Sequence, residues 1–139
     1  MDFFKTLRNI AVFSLFLSFS SNSHAQDIPV KDEKTADDSI HFKVQILPEF
    51  PGGMAGFHAY VSQSYRVPAS FKGSGNIILS FVVERDGSLT DIKIIRDLGF
   101  GTGDEGIRIL KISPKWKPGI QDGIPVRVNY TLPIKLSVK

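Results

Sequence analysis

The chain has 139 residues, 42% hydrophobic and 22% charged, which suits one globular domain and leaves no room for a second of ordinary size. It contains no cysteine, which excludes disulfides, thiolate zinc sites and a lipid-modified N-terminal cysteine. Its net charge of +3 is uneven: residues 26–49 hold three Lys/Arg against six Asp/Glu, and residues 50–139 hold twelve against seven. No basic run interleaved with aromatic residues accompanies that excess, so nucleic acid is not an expected partner.

Lys5 and Arg8 precede a ten-residue apolar run, Ile10 to Phe19, and "SHA" puts Ser23 and Ala25 at the small-residue positions of a signal peptidase site. Ten apolar residues rise only ~15 Å as a helix, about half of a bilayer's hydrocarbon core. Residues 1–25 are therefore expected to be an export signal cleaved between Ala25 and Gln26. The alternative is an uncleaved membrane anchor that borrows Phe3 and Phe4. Residues 26–47 form an acidic, flexible lead-in that contains one short alternating segment, "IHFKVQI" (residues 40–46), and residues 48–139 form the domain.

"LPEFPGG" breaks the lead-in, and from Met54 a stripe of Phe57, His58, Val61 and Tyr65 predicts a helix of about three turns. In "NIILSFVVERDGSLTDIKIIRD", Ile77, Leu79, Phe81 and Val83 share one face, and Ile92 and Ile94 continue it across a turn. Asp86-Gly87 predicts a tight hairpin with positive φ at both central residues. Thr102 with Glu105 three residues on reads as a capping box, so a second helix starts at Thr102 or Gly103, and Pro114 stops it near Ile112. At Gly106 an alanine would favour that helix by ~1 kcal/mol.

From Ile124 to Val138 every even position is apolar and nearly every odd one polar, the period of a half-buried strand. Pro125 and Pro133 interrupt it at odd positions. Two prolines of one parity remove N–H donors from one flank only, which suits an unpaired sheet edge. The fold class is α+β: a three-stranded antiparallel sheet in the order 2-1-3, with two helices on one face and the last strand at an edge.

No enzyme chemistry stands out. "GTGDEG" (residues 101–106) matches a dinucleotide fingerprint, but it follows a hairpin, and Asp104 and Glu105 would repel a phosphate. His24, His41 and His58 show no metal-ligand spacing, and Glu84, Asp86 and Asp91 read as solvated turn residues. No metal or other cofactor is expected. Trp116 in "PKWKPG" is expected to cover the core at a corner.

Taken together and in order, "PEFPGG", "LSFVVERDGSLTDIKIIRDLG", "PKWKPG" and "GIPVRVNYTLPI" resemble the C-terminal domain of the TonB energy-transducer family, from about Pro48 to Leu136. The resemblance implies a periplasmic, non-enzymatic domain. Its partner would be the TonB box of a TonB-dependent outer-membrane receptor, taken as an added strand. It also implies the docking window: Val126, Arg127, Val128, Asn129, Tyr130, Thr131 and Leu132, with Tyr65 and Pro68 of the stretch before "AS" beside it. The family's transducers meet inner-membrane proton-channel motor proteins through a membrane helix and a long arm. Here residues 26–47 reach at most ~75 Å at ~3.4 Å each. A module without a motor link, an anchored transducer and a homodimer paired through its edge strand are the three readings.

Overall fold

The computed structural model describes residues 37–139. The expected signal, its cleavage point at Ala25 and Gln26, and the start of the lead-in lie outside the described residues. The elements are β1 (Ile40–His41), α1 (Gly53–Ser64), β2 (Gly73–Val83), β3 (Leu89–Arg96), α2 (Thr102–Lys111), β4 (Gly119–Gln121) and β5 (Ile124–Val138).

The sheet is built on β2, whose Ile77, Leu79, Phe81 and Val83 are completely buried, as their alternation requires. β5 runs antiparallel to β2 in unbroken register from Gly73 opposite Val138 to Val83 opposite Val128. Its even residues Val126, Val128, Leu132, Ile134 and Leu136 are buried, and Thr131, Pro133, Lys135 and Ser137 are exposed. β3 flanks β2 on the other side. Both helices supply the same core: Phe57 from α1, and Ile109 and Leu110 from α2, which lies against β2 and β3.

The three expected strands thus stand in the expected order, β3-β2-β5, but the sheet is larger and mixed, and β5 is not its edge strand as expected. β1 pairs parallel to β5, giving β1-β5-β2-β3, and β4 folds back on the start of β5. Both additions are too short, at two and three residues, to show a period of two in the sequence. β4 exists because Asp122 (φ 51°) and Gly123 (φ 73°) both adopt left-handed backbone, which matches the twist of a two-residue hairpin.

The other Asp-Gly behaves differently. Only Gly87 has positive φ, 85°, while Asp86 accepts from the Ser88 N–H and hydroxyl. Glu84 N–H bonds Ser88 O, and Gly87 N–H bonds Glu84 O, a wider turn than the one expected. The capping box also fails, although α2 starts at Thr102 as predicted. Asp97 caps instead, accepting from the Gly99 and Gly103 N–H groups and the Thr102 hydroxyl. Glu105 turns away to accept from the Arg66 N–H and the Arg108 guanidinium.

Gly106 has a packing reason. A Cβ there would lie 2.8 Å from Leu79 Cδ1 and 2.9 Å from Ile77 Cδ1, both on fully buried side chains. The close approach of α2 to β2 therefore outweighs the helix preference for alanine.

Candidate functional site

β5 has two unequal flanks. β2 covers one along all eleven of its residues. On the other, β1 pairs only at Ile40–Arg127 and His41–Val128, and no other strand among the described residues reaches it. Pro125 stands opposite Ile120, whose N–H and C=O are both bonded to Ile46, so that pair asks no donor of the proline. Pro133 stands opposite Ile78 in a ladder that runs through it without a register shift. A proline fits mid-ladder only where its missing N–H would point away from the partner.

Arg127 is the most engaged residue of the predicted window. Its Nε and Nη2 donate to Glu84 Oε2 (2.8 Å) and Oε1 (3.1 Å), and its Nη1 donates to the Asp38 carbonyl (3.0 Å). Hydrogen bonds from Arg127 hold the Glu84 carboxyl below its ordinary range, and a bond from Thr90 adds to the effect. Asp97 is lowered likewise, first by the Thr102 hydroxyl and then by the Gly103, Gly99 and Leu98 amides.

A carboxyl whose folded pKa is depressed stabilises fully above its unfolded value and loses that contribution as pH falls through the folded value. The urea midpoint should therefore hold steady from about pH 7 to 5 and fall below about pH 4.5. Glu84→Gln should lower the midpoint modestly at neutral pH and flatten the acid fall. An unchanged acid limb in that variant would contradict the pairing.

The rest of the window divides by parity. Leu132 is buried, and Tyr130 packs on Phe81 and Trp116 with ring centroids 5.7 and 5.4 Å away, so both face the core. Asn129 is half-buried and accepts from the Ser80 hydroxyl (3.0 Å), and Thr131 is exposed. Val126 is buried opposite Gly119 of β4.

Tyr65 and Pro68, just after α1, have hydrogen-bond partners of their own. The Tyr65 hydroxyl donates to Thr102 O (2.7 Å), and burial, with Glu105 and Asp97 nearby, pushes its pKa up to about 12. The Pro68 carbonyl accepts from the Phe71 N–H. What stands beside β5 is α1: a groove of about 310 Å³ lies between Phe57, His58, Val61 and Ser62 on the helix and Pro133, Ile134 and Lys135 on the strand. The sequence signal for it is the α1 stripe itself, of which Phe57 is buried, Val61 half-buried and His58 exposed.

Within the G-x-G-x-x-G stretch the Gly103 amide already donates to the Asp97 carboxylate and the Thr102 amide to the Gly99 carbonyl. Among the described residues no group of three or more His, Cys, Asp or Glu is placed to hold a metal ion.

Two helices pack on a small mixed sheet, and β1 pairs with one flank of its long, proline-marked last strand at only two positions. A family model described as the Gram-negative bacterial TonB protein C-terminal matches residues 64–137, more than half the chain, and the chain belongs to that family. The family is a non-enzymatic, transport-associated domain whose members interact with outer-membrane receptors. No curated protein and no solved structure matches the chain.

Proposed function

We propose that this protein is a periplasmic module that captures the TonB box of a TonB-dependent outer-membrane receptor as an added strand on the outer flank of β5, in energy-coupled transport. The observation that carries the reading is the inequality of the two flanks: eleven residues of β2 on one, two residues of β1 on the other. The unbroken register through Pro133 supports outward N–H groups at the odd positions, among them Asn129, Thr131 and Lys135. Main-chain bonds at these positions supply affinity, and the α1–β5 groove takes an alternate side chain of the peptide. Among the described residues the flank is unpaired from Asn129 onward, which extends the predicted window toward the C-terminus.

The test uses the immobilised chain and outer-membrane extract. Receptors retained on it should be released by a synthetic TonB-box peptide, and the Asn129→Pro chain should retain at least tenfold less while melting within a few degrees of the parent. Equal retention by Asn129→Pro would overturn strand addition. N-terminal sequencing of the exported protein checks the compartment: a chain starting at Gln26 is a free module, and one starting at Met1 is an anchored transducer.

A further inference from the structure

The flank of β5 carries an occupant from the chain itself. β1 runs parallel to β5, with Ile40 opposite Arg127 and His41 opposite Val128. Just before it stand Asp37 and Asp38. The Asp38 carbonyl accepts from Arg127, and its carboxylate lies 3.8 Å from Arg127 Nη1 and 3.4 Å from Arg85 Nη1. Arg85 also donates to the Asp37 carbonyl. Two guanidiniums thus meet the acidic entry of a strand, the geometry in which arginine selects carboxylates and carbonyls. The seat is short. The chain bends away after His41, leaving Phe42 75% exposed, and Ile46 bonds Ile120 of β4 instead. From Asn129 on, no strand among the described residues pairs with this flank, which there lies beside the α1 groove.

We infer that residues 37–41 are a tethered stand-in on this edge, seated parallel to β5 with acidic residues just before the paired ones, and that an incoming extended peptide must displace them. The inference rests on the reading of β5 as a peptide-capturing strand. A two-residue occupant makes few main-chain bonds, so a longer peptide of the same pattern gains Asn129 onward and the groove, and displaces it. While seated, the stand-in lowers apparent affinity by the fraction of time the flank is free.

The probe is a synthetic peptide of the chain's own residues 36–44, added to the full chain and to the Asp37→Lys/Asp38→Lys chain. Both substituted side chains are exposed, so the fold is kept, while Arg85 and Arg127 repel the tethered copy. The released chain should bind the probe about tenfold tighter than the parent, which corresponds to a flank free about one-tenth of the time. A probe with asparagine at both acidic positions should bind several-fold more weakly. In the parent, saturating probe should speed amide exchange at Ile40 and His41 and slow it at Asn129 and Thr131.

Equal affinity for the two chains, or unchanged exchange at Ile40 and His41 with probe bound, overturns the stand-in. A TonB-box peptide binding both chains equally would remove the stand-in and leave the docking edge intact. Probe binding without any TonB-box binding would keep the stand-in and remove the transport reading.

Discussion

Trp116→Ala should lower the melting temperature by about 20 °C, the consequence of losing about 3–5 kcal/mol from a domain of roughly a hundred residues. Trp116 is 3% exposed and touches three elements and the loop before α1 at once. Its ring centroid lies 5.6 Å from Phe50 before α1, 6.1 Å from Phe57 in α1, 5.3 Å from Phe81 in β2 and 5.4 Å from Tyr130 in β5. Most of these rings meet edge to face or tilted, arrangements that add to simple burial. An alanine would leave a cavity walled by aromatic rings that cannot collapse into it. Circular dichroism melts are the measurement, since the chain's single tryptophan is the residue removed. Trp116→Phe should recover about half of the loss, and a fall below about 5 °C for the alanine variant would show that the cluster does not hold the sheet.

Gly87→Ala should cost at least about 3 kcal/mol, although it adds only one methyl group, because the turn buries Gly87. Two effects combine. The residue has φ 85°, which costs a side chain about 1–2 kcal/mol. Its Cβ would also fall 1.9 Å from the Trp116 carbonyl oxygen, so backbone must move and the 2.8 Å bond from Trp116 N–H to Gly87 O is strained or lost. Gly99→Ala is the control, with φ 77° and no heavy atom within 4 Å of its Cβ, and should cost only about 1–2 kcal/mol. Urea unfolding of the three proteins compares them directly. Equal losses at the two glycines would mean that backbone conformation alone matters and that the clamp on Trp116 does not. The combined Gly87 and Trp116 variant should lose less than the sum, because both act on one contact.

Where the governing interaction is local, the sequence was readable. The alternation of Ile77 to Val83 and of Val126 to Leu136 decides which side chains meet the core, and the structure buries all of them except the half-buried Tyr130. The start of α2 at Thr102 was readable too, but its cause was not. Asp97 and Glu105 compete for the same helix end, and Asp97 takes it because β3 delivers its carboxylate to the Gly103 amide while Arg66 and Arg108 draw Glu105 away. Two Asp-Gly pairs looked alike and folded differently. Asp122-Gly123 is free to follow the twist of its hairpin, whereas Gly87 is tied to Trp116.

The candidate site shows the same division. Period-two patterning and the shared parity of Pro125 and Pro133 belong to the covalent chain, and they are enough to give β5 one core face and one flank that tolerates missing donors. Which groups meet that flank is non-local. Arg127 reaches Asp38 across 89 positions and Glu84 across 43, and α1 supplies a groove wall through His58 and Val61. Such contacts depend on how the helices and the lead-in settle on the sheet, and only the tertiary structure decided that the acidic residues before Ile40 lie where a partner strand would begin.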